Sequence, residues 1–84
     1  MSNIPIDVDA VFNTQGKIKP RLVQLQDPET KELITYTLRV EYSKPENYAG
    51  IPTILFGCYI ERNGFQELIK IRYHKLTTQW VQIL

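Results

Sequence analysis

Thr53–Leu84 reads TILFGCYIERNGFQELIKIRYHKLTTQWVQIL, and the pair Asn63-Gly64 in its middle decides the fold. Two runs rich in Ile, Phe, Tyr and Leu flank that pair. A type I′ turn needs φ > 0 at both central residues, and Asn-Gly adopts that conformation at least cost, so the stretch predicts a β-hairpin. A two-residue loop also sets the register. Arg62 then faces Phe65, Ile60 faces Glu67, Cys58 faces Ile69, Phe56 faces Ile71, and Ile54 faces Tyr73. This pairing puts the apolar even positions of one strand on the same face as the apolar odd positions of the next. Turn chemistry and apolar pattern are independent signals, and here they agree.

Working outward toward the N-terminus, Ile6, Val8, Ala10 and Phe12 alternate with Asp7 and Asp9, as in a half-buried strand. Asn13-Thr14-Gln15-Gly16 fits a type I turn closed by a left-handed Gly, pairing Phe12 with Ile18, Ala10 with Pro20 and Val8 with Leu22. Pro20 has no N–H to donate, so it belongs at an edge or a bulge. The apolar phase then shifts from Ile18, Pro20 and Leu22 to Val23 and Leu25. A bulge or bend near Arg21 to Val23 accounts for the shift and would curl the sheet. Asp27-Pro28-Glu29-Thr30 is a type I turn with Asp in the capping position.

A third strand follows, with Ile34, Tyr36, Leu38, Val40 and Tyr42 on one face. Ser43 to Pro52, with two prolines and a glycine, reads as the longest connecting loop. After Tyr73 comes a turn through His74 to Thr78, then a short last strand from Gln79 to Leu84. The expected fold is all-β: one domain over residues 1–84, a small curled antiparallel sheet or barrel of five to six strands, SH3-like or OB-like. Cys58, Phe56, Ile69 and Ile71 are its expected core, walled by Ile34, Tyr36, Leu38 and Val40.

At 84 residues the core is thin, while 43% hydrophobic and 11% aromatic content suits a folded chain. A net charge of +1 exerts no global pull on nucleic acid or anionic lipid. One cysteine leaves no internal disulfide, and Met1 to Asp9 has neither a basic nor an apolar leader region. No run is long and apolar enough for a membrane-spanning helix. These features lead to the expectation of a cytoplasmic protein that is not membrane-bound.

Gly16-Lys17-Ile18-Lys19-Pro20, the later Gly57 and Tyr59, and the terminal Trp80-Val81 give a pattern that resembles a family of small uncharacterised bacterial β-proteins with a Gly-Lys-Ile-x-Pro turn and strand. The similar pattern runs along most of the chain. Two positions depart from it: Gln15 stands where the family has Asp, and Gln82 where it has an acid. The resemblance implies a compact barrel-like domain and supplies no catalytic residues.

Chemistry is sparse. Cys58 and His74 are the sole thiol and imidazole, and the hairpin register places them on opposite faces, which disfavours a Cys–His dyad. A buried Cys58 acting as a small hydrophobe is the plainer reading. A zinc site needs three or four ligands and the chain offers one Cys and one His, while Asp7 and Asp9 read as a solvated face. No Gly-rich phosphate loop is present. The expectation is therefore a non-enzymatic protein with no cofactor and no metal.

Two surface features remain. Lys17, Lys19 and Arg21 form one basic row, and Lys70, Arg72 and His74 with Lys75 form another. Joined, they would make a cationic patch for single-stranded nucleic acid. Against this, Leu55, Tyr59 and Leu68 put apolar groups on the solvent side of the central hairpin as well, so either the Ser43–Pro52 loop or another chain, a protein partner or a second copy, is expected to cover them. The segregation of apolar from cationic residues favours a binding or assembly module with a protein partner; single-strand binding is the alternative.

Overall fold

In a computed structural model that describes residues 3–84, every regular element is a strand. Residues 1 and 2, part of the expected domain 1–84 and of the Met1–Asp9 stretch read as lacking leader features, lie outside the described residues. The strands are β1 (Asn3–Phe12), β2 (Ile18–Gln26), β3 (Leu33–Thr37), β4 (Arg39–Tyr48), β5 (Ile51–Arg62), β6 (Phe65–His74) and β7 (Gln79–Ile83). They form a curled antiparallel sheet in the order β3-β2-β1-β7-β6-β5-β4. The two ends of that order, β3 and β4, are consecutive in the chain, joined through Leu38.

The count is seven strands, not the expected five to six. One cause is the break at Leu38, where the chain leaves β2 and begins to pair with β5. The Leu38 amide donates to the Arg21 carbonyl at 2.7 Å, so the break leaves no orphaned N–H there.

A second correction concerns Ser43 to Pro52, which is strand rather than loop: β4 runs to Tyr48 and turns into β5 at Ala49 and Gly50. Both turn residues have positive φ, 52° and 81°, as in a second two-residue hairpin. Pro45 is compatible with the strand because β4 is a sheet edge and its missing N–H interrupts no ladder on the open side.

The central hairpin has the register read from Asn63-Gly64, Arg62 opposite Phe65 through Ile54 opposite Tyr73. Asn63 and Gly64 have φ of 53° and 79°. In the first hairpin, Phe12 faces Ile18 and Ala10 faces Pro20, but Val8 faces Val23 rather than Leu22. The register slips between Asp9 and Ala10, leaving Arg21 as the extra residue; this bulge turns Val23 and Leu25 into the core. A second slip at Glu41 sends Tyr42 to the outer face, away from Leu38 and Val40.

The core lies inside the curl. Phe56, Cys58 and Ile60 of β5 meet Ile69, Ile71 and Tyr73 of β6, Trp80 of β7, Val23 and Leu25 of β2, and Leu38. Tyr36, Val40, Ile6, Val8 and Ala10 pack against that cluster from the rim. No helix is long and apolar enough to cross a membrane among the described residues.

Candidate functional site

The curl gives β4, β5 and β6 an outer face with no second layer over it, and the register fixes its rows. Tyr42, Gly57 and Lys70 form one row, Lys44, Leu55 and Arg72 the next, and Glu46, Thr53 and His74 a third. Toward the Asn63-Gly64 turn, Arg39, Tyr59 and Leu68 complete the set.

The side chains on this face are tied to one another. Tyr42 packs against Gly57, where an added Cβ would clash with the edge of its ring, within 2.8 Å of three ring carbons. Arg72 lies 4.4 Å from the centre of the Tyr48 ring and 3.8 Å from Glu46. Glu46 also stands 3.8 Å from Lys44. Arg39 sits 5.2 Å from the Tyr59 ring centre and donates to the Gln66 side chain at 3.4 Å. Thr53 is buried and donates its hydroxyl to the Glu46 carbonyl at 3.2 Å.

The three apolar residues expected on the hairpin's outer side therefore differ in exposure. Leu55 is buried, flanked across the strands by Lys44 and Arg72. Tyr59 is half-buried against Arg39, whereas Leu68 remains 47% exposed. Tyr42, Tyr48 and Ile51 are also exposed on or beside this face. The sequence reading missed Tyr42, Tyr48 and Glu46 as members of it. The signal was present in the alternation of Tyr42, Lys44, Glu46 and Tyr48 and in Ala49-Gly50, but two prolines made that segment read as a loop.

The two basic rows are not brought together. β1 and β7 lie between β2 and β6, which at ordinary strand spacing separates the rows by roughly 14 Å. Lys17, Lys19 and Arg21 are exposed around the first hairpin turn and bulge, while Lys70 and Lys75 are exposed on the far side. Arg72 is engaged with Tyr48 and Glu46, and His74 is half-buried beside Thr53.

Cys58 is fully buried in the core, opposite Ile69, and His74 is on the outer face. Burial pushes the Cys58 thiol up to about 11, so at neutral pH it is protonated and poorly nucleophilic. Among the described residues no group of three or more His, Cys, Asp or Glu side chains converges as a metal site. The fold and surface define a small all-β domain with an aromatic, cation-edged outer sheet face. No protein family, curated protein or solved structure matches the chain.

Proposed function

We propose that this chain is a non-enzymatic, cytoplasmic binding or assembly module that associates with a second copy of itself through the outer face of β4, β5 and β6. The observation that carries this reading is the exposure of Tyr42, Tyr48 and Leu68 on a sheet face that no other layer covers. Arg39, Lys44, Lys70 and Arg72 stand among these residues, so the face interleaves apolar and charged groups, and aromatic and arginine side chains are those protein contacts favour. Glu46 offsets only part of the charge of Arg72 and Lys44, so cations remain in excess on this face and self-association should strengthen as salt screens them. A likeness to SH3-like or OB-like barrels belongs to the same proposal: such small curled sheets carry binding on their faces, and their architecture alone names no partner.

Analytical ultracentrifugation over a wide concentration range tests the reading. A mass rising with concentration in the parent protein, and at least about tenfold weaker association in Leu68→Ser, is the expected result. A monomer throughout overturns it. Steeply salt-dependent binding to single-stranded oligonucleotides by that monomer would instead favour the nucleic-acid alternative.

A further inference from the structure

β1 serves two neighbours in succession. Its first part, Asn3 to Ile6, pairs with β7 from Ile83 to Trp80. Its second part, Asp7 to Phe12, pairs with β2 on the other side. Beyond Ile6 the β7 side of β1 has no strand partner among the described residues, because the chain before Gln79 turns away toward β6. Successive strand residues aim their N–H and C=O groups at opposite edges, so alternate residues between Asp7 and Phe12 present theirs to this open side.

The open side is a cleft of about 570 Å³ lined by Ile6, Asp7, Phe12, Tyr73, Gln79 and Trp80, among others. Its aromatic residues are fixed by mutual contact: Tyr73 and Trp80 have centroids 4.8 Å apart, and Phe12 meets Tyr73 edge-on at 6.1 Å. Asp7 and Asp9 are exposed on the outer side of the same strand and form no ion pair among the described residues. The site thus combines a free strand edge, an aromatic floor and two acids without an ion-pair partner, Lys19 and Arg21 standing on the far strand of the same hairpin.

We propose that this cleft binds an extended cationic peptide segment, which adds a strand to the free edge of β1. Main-chain hydrogen bonds would supply affinity, and alternate side chains the selectivity. Apolar side chains of the added strand turn inward toward Phe12, Tyr73 and Trp80; basic ones turn outward, across from Asp7 and Asp9. The acids also discriminate against other occupants. Two β1 edges of this chain paired about Val8 would set Asp7 against Asp9 in both directions, and pairing about Asp9 would set it against itself. Like charges directly opposite one another destabilise a strand pair. This surface is separate from the outer face of β4 to β6, so the failure of either proposal leaves the other standing.

Trp80 is the sole tryptophan of the chain and lines the cleft, which makes its fluorescence the readout. The probe is a capped octapeptide alternating Lys and Val, compared with its Glu/Val counterpart. The expected result is a saturable Trp80 change with the Lys peptide, at least about tenfold tighter than with the Glu peptide. Asp7→Lys combined with Asp9→Lys should reverse that order. N-methylation of alternate peptide amides should abolish binding in one phase and spare it in the other, since one edge of the added strand faces β1. No saturable change, equal affinity for both peptides, or indifference to N-methylation in both phases would each overturn the proposal. Should the double variant fail to fold, the N-methylated peptides on the parent protein still decide.

Discussion

The guanidinium of Arg72 stacks 4.4 Å from the ring centre of Tyr48, which joins the end of β4 to β6 across the intervening β5. Beside it, Leu55 is buried on a face that would otherwise be open to water. The arginine is serving as cover: its stem shields the leucine while its head finds an aromatic ring and Glu46. Removing it should cost about 1–2 kcal/mol, combining the cation–π contact with lost cover of Leu55. The expected outcome for Arg72→Ala is a melting temperature lower by roughly 5–15 °C. Glu46→Gln should cost less, because at 3.8 Å the pair is too long for a hydrogen bond and the Glu46 oxygen facing Arg72 is buried without a hydrogen-bond partner. An Arg72→Ala protein as stable as its parent would show that the stack is incidental.

Gly57 is required by its neighbour rather than by its backbone angle. The Tyr42 ring occupies the space that a Cβ would fill. Gly57→Ala should therefore expel the ring and destabilise the domain by about 1–3 kcal/mol. Combining it with Tyr42→Ala should cost clearly less than the two single changes added together, since the clash is then gone. Strict additivity in denaturant unfolding would refute the contact.

Acid sensitivity should centre on the turn between β2 and β3. The Asp27 carboxylate accepts the Thr30 and Glu29 backbone N–H groups at 3.1 and 2.7 Å, and these bonds hold its pKa below the ordinary 3.8. A depressed folded pKa gives stability that is fully present above the unfolded value and is lost as pH falls through the folded one. The contribution of Asp27 should thus persist to about pH 4 and fade below it. Asp27→Asn should flatten that part of the stability–pH curve. An unchanged acid limb would mean that the turn does not distinguish the charged form.

Where the sequence was legible, a turn and an apolar pattern spoke together. Asn63-Gly64 with its flanking alternation set the register of the β5–β6 hairpin, and the phase change after Leu22 put a bulge or bend within Arg21 to Val23, of which Arg21 is the extra residue. What was not legible depended on contacts distant in sequence. The break at Leu38 is set by β2 and β5 competing for one strand, and nothing local marks it. The outer face stayed hidden because Pro45 and Pro52 imitate a loop, although an edge strand accommodates Pro45. Likewise, the separation of the basic rows follows from β1 pairing with β7, a closure between chain ends that no short-range pattern encodes.

Cys58 offers the most direct probe of whether the curl stays closed. Its side chain is fully buried among Phe56, Ile69 and Ile71, and burial raises its pKa from the ordinary 9.0 to about 11. Both thiolate formation and reagent access are thereby suppressed in the folded state. Labelling by a neutral disulfide reagent should proceed through opening of the core, at a rate that rises with denaturant in step with unfolding. The pH dependence has a defined sign. A thiol raised in the folded state contributes stability that is complete below pH 9 and declines as pH rises from about 9 toward 11, because the unfolded thiol ionises first. Cys58→Ala should remove that alkaline decline and cost about 1 kcal/mol, as expected for the small cavity it leaves. Rapid stoichiometric labelling at neutral pH without denaturant would place the thiol at the surface and the β5–β6 register in error.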